Sequence, residues 1–481
     1  MPDHLKFNFS LSRSTGPRIS NRGPMRLLVM GDFSGRAAAQ RPALAGRPTH
    51  RVDIDNLDEV LRRLAPQVAL PGGEVSFESL DDFHPDSLFA RLARFDALRD
   101  MRQRLGDPAR FVQAAAEWRQ GPAAGPALDN PPGAGVAGGG DLLAQLLGGQ
   151  PGGAAVAPAA TAAGIEALIH RIVAPHIVPD ISQQQARLIG SVDAAITDLL
   201  RELLHAPAFQ QLESAWRGVQ WLISSLELDE SLQLHLFDIS RAELLDDVVA
   251  AQGRVEQTAV FTALVGRWRN PPGGEGWSVL TGLFAFGPSV EHIGLLAALG
   301  VLASQAGAPF LAAGELALAG DDASVLAGWQ ALRRSEVAPW IGLTTPRVLL
   351  RLPYGQGSDP VECLQFEEFG ATPVHQQYLW GNAGLACTLL IGRAFMARGW
   401  DFEPGDERDI DDLPAYIFVH DGEREMQPCA EQTLSEAMSE ALMAAGLMAV
   451  MSHRMRNAVT VLRFQSVAEP AQALRGLTGR C

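Results

Sequence analysis

The chain has 481 residues, of which 47% are hydrophobic and 20% are charged, a composition typical of globular proteins with two or three domains. Its net charge of -16 argues against a nucleic-acid-binding protein, which would carry a basic surface. Lys6 is the single lysine, so the chain lacks the lysine required by a Walker A loop, a protein kinase or a pyridoxal enzyme.

The cysteines and the apolar stretches give no indication of secretion or of a membrane span. The N-terminus has no apolar signal region, and the four cysteines form no metal-ligand spacing, which favours free thiols in a reducing cytoplasm. Ile293–Ala313 carries no charge over the length of a membrane span. Because Gly, Ser, Gln and Pro interrupt it, a buried helix at Glu291–Ala306 and a core strand at Pro309–Ala313 fit better, and we predict no membrane insertion.

The first part of the chain predicts a small α/β domain over residues 25–120, preceded by a polar, flexible arm at 1–24. Strand and helix patterns alternate there, which is typical of this fold class. The predicted elements are strands at Arg26–Met30 and Glu74–Phe77, an amphipathic helix at Arg51–Leu64 capped within Asp53–Asp55, and a second helix at Pro85–Leu105.

A linker is predicted over residues 121–164, which consist mainly of Gly, Ala and Pro. Such a composition buries too little apolar surface to offset the entropy of ordering. Within it lies DLLAQLL, Asp141–Leu147. A short isolated helix is unstable in water, so this cluster is either incidental or a peptide recognised by another protein.

Residues 165–481 predict a larger α/β domain of mixed strand order, with several elements covered on both faces. Ser240 is a candidate N-cap, and Pro207 is expected to break the first helical stretch. The predicted helices are Ile165–Leu228, Arg241–Val249, Glu291–Ala306, Tyr378–Arg398 and Glu431–Ala445, and the predicted strands are Leu232–Ile239, Ser278–Phe286, Pro309–Ala313, Arg347–Leu352 and Val459–Gln465.

The glycines of GDFSG, Gly31 and Gly35, follow a strand as a phosphate-binding loop would. The spacing is neither GxGxxG nor GxxxxGK[ST]. A tight turn in which Asp32 and Ser34 cap their own backbone is the better interpretation.

No catalytic residue, cofactor or metal site is predicted. The acidic run Asp406–Asp412 could bind a hard cation through oxygen ligands, but it lacks the pattern of a calcium loop and favours a solvated loop. His84 lies beside three carboxylates and could suggest a metal or acid/base site, although the following Pro85 favours a helix-start turn. Nothing resembles a nucleophile elbow.

Trp216 and Trp221 lie on one predicted helix that also carries charge. Core packing is the simpler interpretation, but one of the two could reach a subunit boundary, where aromatic residues are enriched. Both are therefore candidate interface residues.

Two sets of motifs resemble partner proteins of one assembly. LLVMGDFSGR, DNLDEVL and FESLDDFHPD, within Arg26–Arg110, resemble the small subunit of the type VI secretion contractile sheath. FQQLESAWRGVQWL, LTTPRVLLRLPYG and YLWGNAG, within Ile165–Pro470, resemble its large subunit. The chain therefore resembles a fusion of the two.

The resemblance implies a structural protein and no enzyme. In that family the two subunits form a heterodimer, and copies stack as a cytoplasmic tube around an inner tube and contract. An AAA+ unfoldase then disassembles the sheath by binding an apolar peptide near the N-terminus of the large subunit. DLLAQLL is similar to that peptide, with Leu142, Leu143, Leu146 and Leu147 as its anchors.

Two features depart from the family pattern. The subunits are fused, and the chain stops at Cys481, where the family's large subunit is expected to continue into a C-terminal domain. Three hypotheses remain open: a sheath component, an accessory paralogue that binds sheath, baseplate or unfoldase without forming a tube, and an enzyme of unknown type. The sequence also leaves open whether the halves pair within one chain or between chains.

Overall fold

The structure, a computed structural model, describes residues 23–70, 73–120, 182–267, 276–320, 322–370, 374–420 and 422–477. It divides into two compact units, one from Met1–Arg94 and Thr197–Cys481 and one from Phe95–Ile196. The predicted mixed α/β class is confirmed. The predicted linker and nearly all of the predicted N-terminal arm lie outside the described residues, and the predicted domain boundaries stay predictions.

The strands of the described residues are numbered in chain order. They are β1 (Met25–Gly31), β2 (His50–Val52), β3 (Gln67–Leu70), β4 (Gly73–Ser76), β5 (Leu232–Asp238), β6 (Val279–Phe286), β7 (Phe310–Gly314), β8 (Ile341–Thr345), β9 (Val348–Leu349), β10 (Trp380–Gly381), β11 (Asp409–Ile410), β12 (Ile417–His420), β13 (Glu423–Met426), β14 (Leu447–Ser452) and β15 (Val459–Val461).

The longer helices of the described residues are numbered in the same way. They are α1 (Leu57–Leu64), α2 (Pro85–Arg91), α3 (Asp96–Gly106), α4 (Phe111–Gln120), α5 (Ser182–Leu204), α6 (Pro207–Ser225), α7 (Arg241–Ala250), α8 (Val290–Ala306), α9 (Ala323–Arg333), α10 (Gly384–Arg398) and α11 (Glu436–Ala444).

A nine-stranded sheet organises the first unit, in the order β11-β15-β14-β8-β7-β6-β1-β5-β2. The six strands from β14 to β5 are parallel, and β2, β11 and β15 are antiparallel to their neighbours. Taken in chain order, the parallel strands β1, β5, β6, β7 and β8 have the doubly wound arrangement 2-1-3-4-5.

The first strand, β1, lies inside this sheet. It pairs with β5 from Met25 opposite Leu232 to Gly31 opposite Asp238, and its other edge pairs with β6. All seven residues of β1 are buried, as expected for a strand covered on both faces. A strand from the predicted small domain therefore completes the sheet of the predicted large one.

The predicted buried helix is confirmed as α8, which is buried on almost every side. Its residues join β1, β5, β6 and β7 side chains in one apolar cluster of the first unit. A Cβ at Gly300 would lie 2.7 Å from Ile341 Cδ1, so the glycine permits close helix-to-strand packing. No helix among the described residues combines the length and the apolar character needed to cross a bilayer.

The predicted helix at Arg51–Leu64 was too long, because it begins only at Leu57. The preceding residues form β2 and pair with β5. Asp53 then makes a turn in which its Oδ1 accepts hydrogen bonds from the N–H groups of Asp55 and Asn56, both at 3.1 Å. Pairing within the sheet thus overrides the local helical pattern.

Other predicted bounds were also wrong. The helix at Pro85–Leu105 is interrupted at Leu92, whose backbone is extended, and the helix predicted from Tyr378 begins at Gly384, because the residues before it include β10, paired with β9. Elements that the sequence did not predict are α4, α9, β3, β8, β11, β12, β13 and β14.

The second unit is built from α3, α4 and the first part of α5. Arg102 Nε lies 2.6 Å from Asp193 Oδ1, and Trp118 Nε1 donates to Ser191 Oγ at 2.8 Å. Gln185 Nε2 donates to the carbonyl oxygen of Leu105 at 2.6 Å. These contacts join α3 and α4, which precede the predicted linker, to α5, which follows it.

Candidate functional site

We call the described residues of 23–94 the N-terminal segment and those of 197–477 the C-terminal region. The two meet at the carboxyl end of β1, where Asp238 is 4% exposed. Its carboxylate accepts hydrogen bonds from Phe33 N (2.9 Å), Ser34 N (3.0 Å) and Ser34 Oγ (2.7 Å). A buried carboxylate requires such donors, so Asp238 fixes the turn after β1.

The predicted tight turn at Gly31–Gly35 is confirmed. Asp32 Oδ1 accepts from Gly35 N at 2.8 Å. Gly35 has a φ of +62°, and a Cβ there would lie 2.1 Å from the carbonyl oxygen of Gln67. The N–H groups at the place where a phosphate loop would bind its anion instead bind the Asp238 carboxylate.

Two buried arginines of the N-terminal segment extend this junction. Arg41 lies 2.5 Å from Asp32 and 3.2 Å from Glu243. Arg47 lies 2.5 Å from Glu243 and donates to the carbonyl oxygen of Asp238 at 2.6 Å. Burial would raise the pKa of Glu243, but the hydrogen bond and charge of Arg47, with the charge of Arg41, hold that pKa below its ordinary value.

Removing the Asp238 carboxylate should destabilise the first unit. The change Asp238→Ala leaves three buried donors without their acceptor, so we expect the free energy of unfolding to fall by about 2–3 kcal/mol, measured by urea denaturation. Asp246→Ala on α7, at an exposed aspartate, is the matched control and should stay within about 0.5 kcal/mol of wild type. Equal stability of the two variants would contradict this role.

Trp216 contacts the same turn from the C-terminal region. It is fully buried, its Nε1 donates to the carbonyl oxygen of Phe33 at 2.9 Å, and the two rings meet edge to face at 5.4 Å. Trp221, on the same helix α6, is half-buried. Trp216 thus packs on the N-terminal segment of its own chain, and an interface role for either residue stays a prediction.

A second contact is aromatic. Phe77 and Phe83 of the N-terminal segment stack at 4.1 Å. Phe209 at the start of α6 meets their edges at 5.8 and 5.6 Å. All three side chains are fully buried, and such aromatic pairs contribute stabilisation beyond the burial of their area.

The motif FESLDDFHPD forms two successive helix starts. Asp82 Oδ2 accepts from the N–H groups of Glu78 (2.6 Å) and Ser79 (3.1 Å). His84 Nδ1 accepts from Asp86 N at 3.2 Å at the start of α2, which confirms the predicted helix-start turn. Asp86 in turn accepts from the N–H group of Cys363 at 2.9 Å, so the motif also contacts the C-terminal region.

The C-terminal region contains a buried charge network centred on Arg351. The guanidinium donates to Glu213 Oε1 at 2.8 Å and to Glu368 Oε2 at 2.7 Å. Both glutamates are fully buried. Arg217 also donates to Glu213 at 2.8 Å and to the Tyr354 hydroxyl at 2.8 Å. The motifs LESAWRG and RLPYG therefore supply the two sides of one network.

In this network, burial and the neighbouring charges have opposite effects on the pKa of Glu368 and on that of Arg351. Burial would raise the pKa of Glu368, but the charge of Arg351, the His205 ring at 3.4 Å, and the hydrogen bonds from Arg351 and Tyr354 N lower it to about 2. For Arg351, the charges of Glu213 and Glu368 outweigh burial and raise the pKa well above its ordinary value. Arg351 and Glu368 thus stabilise each other's charged form inside the protein.

The motif YLWGNAG places α10 against the sheet. Asn382 Oδ1 accepts from Gly384 N at 2.9 Å, and its Nδ2 donates to the carbonyl oxygen of Phe284 on β6 at 2.9 Å. A Cβ on Gly384 would lie 3.0 Å from Ala312 Cα. This asparagine accepts from the first N–H group of the helix and also fixes the helix to the sheet, a role that sequence reasoning missed.

His235 on β5 should make stability depend on pH. It is 6% exposed, and burial, then the charges of Arg26 and Arg51, lower its pKa to about 4. Because the pKa of this histidine in the folded protein lies below its ordinary value of 6.5, the free energy of unfolding falls by up to about 3 kcal/mol as the pH falls from 6.5 to 4. Urea denaturation across that pH range should show a shallower decline in the free energy of unfolding for His235→Gln than for wild type. Parallel pH dependences of the two proteins would contradict this role.

Other sequence predictions concern ligands and thiols. Across the parts of the chain that the structure describes, no group of three or more His, Cys, Asp or Glu side chains could hold a metal. Cys363, Cys387 and Cys429 form no disulfide among the described residues, and burial raises the pKa of Cys387 to about 12. The fourth cysteine lies outside the described residues. The predicted unfoldase-binding peptide, with its anchors Leu142, Leu143, Leu146 and Leu147, also lies outside them.

Comparison with known families identifies the class of protein. Residues 186–468, more than half of the chain, match the model of the VipB family, described as EvpB/VC_A0108, tail sheath N-terminal domain. Residues 15–120 match the family described as type VI secretion system, VipA, VC_A0107 or Hcp2. The chain belongs to the VipB family of tail sheath proteins and carries a VipA-type region in the same polypeptide.

Two curated relatives come from Pseudomonas aeruginosa PAO1. The type VI secretion system sheath protein TssC1 is 32% identical over 308 residues, which are 59% of this chain and 61% of the relative. The type VI secretion system sheath protein TssB1 is 30% identical over 95 residues, 18% of this chain and 55% of the relative. The chain thus spans less than two thirds of the length of either.

Proposed function

We propose that this chain is a structural protomer of a type VI-type contractile sheath, in which a VipA-like half and a VipB-like half pair inside one polypeptide. The observation that carries this proposal is the position of β1 between β5 and β6. Without that strand the two neighbouring strands would each expose a hydrogen-bonding edge in the middle of the sheet.

The buried contacts around β1 support stable pairing of the halves. Asp238, Trp216 and the aromatic contact of Phe209 with Phe77 and Phe83 all join the N-terminal segment to the C-terminal region. Linking two partners in one chain fixes their ratio at one to one and raises their effective concentration. The fusion therefore supplies both halves of the proposed protomer from one translation product.

The proposed protomer assembles in the cytoplasm with copies of itself or with other sheath subunits around an inner tube. Baseplate subunits are further proposed partners, and an AAA+ unfoldase is proposed to bind the peptide with Leu142, Leu143, Leu146 and Leu147. The role is structural and requires no enzymatic step, which agrees with the sheath names of both relatives.

Electron microscopy of the purified protein, alone and mixed with the products of neighbouring genes, tests this proposal. Tubes or stacked rings are the expected result. Isolated monomers under every condition would contradict it. Co-purification with sheath or baseplate subunits but without tubes would contradict polymer formation and support an accessory role instead.

A further inference from the structure

Residues 350–370 form a long connection after β9 that contains no helix or strand, apart from one bridge between Tyr354 and Asp359. Ordered connections of this length are uncommon in compact domains and are often functional. We call residues 355–363 the central loop. Most of its side chains are exposed or half-buried, so its own packing supplies little of its order.

The ends of this connection are fixed by the C-terminal region itself. Arg351 pairs with Glu368 at 2.7 Å, which ties one end to the other. Arg201 donates through Nε and Nη2 to the carbonyl oxygen of Glu367 at 3.0 and 2.7 Å. The first part of the central loop also has contacts within the connection, since Gly355 N donates to the carbonyl oxygen of Asp359 at 2.8 Å and Gln356 N donates to Glu367 Oε1 at 3.1 Å.

Two residues of FESLDDFHPD contact the central loop from the N-terminal segment. Asp86 accepts from the N–H groups of Glu362 and Cys363, both at 2.9 Å. The ring of His84 meets the ring of Tyr354 edge to face at 4.9 Å, and its Nε2 lies 3.7 Å from Asp359. Two neighbouring residues of the N-terminal segment therefore contact the connection at three places.

We propose that the His84–Asp86 pair orders the central loop, so that the loop adopts its folded form only when the N-terminal segment is in place. The proposal rests on the pairing of the two halves proposed above. Tyr354 belongs both to this contact and to the buried network of Arg351, which links the state of the loop to the core. The central loop thereby distinguishes a paired protomer from an unpaired one.

Hydrogen–deuterium exchange of the full chain tests this inference. Replacing Asp86 with alanine removes the acceptor of two loop N–H groups, and peptides covering 355–363 should then exchange at least about tenfold faster. Asp81→Ala changes an exposed aspartate of the same motif and should leave those peptides unchanged. Wild-type exchange of the central loop in Asp86→Ala would overturn the proposal.

A second variant and a second region separate the possible outcomes. Asp86→Asn keeps one acceptor oxygen, so it should give a smaller increase in exchange rate, confined to the central loop. An unchanged exchange rate in this variant would also overturn the proposal. Protection of β5 and β6 should persist in every variant. Rapid exchange of β5 and β6 in the wild-type chain would instead contradict pairing of the halves.

Discussion

Replacing Arg351 with methionine is expected to lower the free energy of unfolding by about 3–5 kcal/mol, because it leaves two buried glutamates without their shared cation. Glu213 and Glu368 are both fully buried, and hydration cannot replace the lost charge. Urea denaturation followed by circular dichroism measures the effect. No other single change to a charged side chain discussed above should destabilise the protein more.

A matched control lies four residues earlier in the same stretch. Arg347 pairs with Glu431 at 2.6 Å, but its side chain is 47% exposed. Exposed pairs contribute about 0–1 kcal/mol, so Arg347→Met should cost no more than that. If Arg351→Met were as mild as Arg347→Met, the buried network would not stabilise the fold as described.

Replacing Trp216 with alanine should cost about 3–5 kcal/mol, the usual range for removing a large aromatic side chain from a core. The change also leaves the carbonyl oxygen of Phe33 without its donor. Because the contact holds the turn after β1 at Phe33, we expect limited proteolysis to cleave the chain near residue 35 more rapidly. Denaturation and the rate of cleavage near residue 35 measure the two effects.

Trp221→Ala tests whether the destabilisation caused by replacing a tryptophan of α6 depends on its position on the helix. Trp221 lies on α6 with Trp216 but is only half-buried, so its replacement should cost clearly less and leave cleavage near residue 35 unchanged. Loss of tube formation in this variant with little change in the free energy of unfolding would support the proposed subunit-boundary role of Trp221. The opposite order of destabilisation would contradict the placement of Trp216 at the junction.

Local patterns predicted the buried elements well. The strands β1 and β6 and the helix α8 were expected close to their observed bounds, because elements covered on both sides are continuous apolar runs that the sequence displays directly. Ser240 was expected as an N-cap, and its side chain does accept from Glu243 N at 3.2 Å. Such features depend on neighbouring residues alone.

Contacts between distant residues could not be predicted in this way. Arg351 and Glu213 are 138 positions apart, and nothing local pairs them. The sequence likewise left the partner of β1 open, since an apolar strand fits any parallel sheet. The only available signal was that LESAWRG and RLPYG place glutamate, arginine and tyrosine within otherwise apolar stretches, where charges require partners.

Overextended helices have a related cause. The predicted helix Tyr378–Arg398 continued an apolar pattern through a segment that in fact contains β10 and Asn382, and short apolar runs do not distinguish strand from helix. The strand β14 lies in a stretch for which the sequence predicted no element. Pairing with β8 decides its structure, and that information lies elsewhere in the chain.

The central claim is that β1 pairs with β5 of the same polypeptide. Arg26 and Gln233 lie opposite each other, with Arg26 Nε 3.0 Å from Gln233 Oε1, so cysteines at both positions should form a disulfide. Chains of Arg26→Cys/Gln233→Cys labelled with ¹⁴N and ¹⁵N are unfolded, mixed, refolded and oxidised, and the 26–233 disulfide peptide is analysed by mass spectrometry. In-chain pairing predicts peptides of a single isotope, whereas a statistical share of mixed-isotope peptides would contradict it.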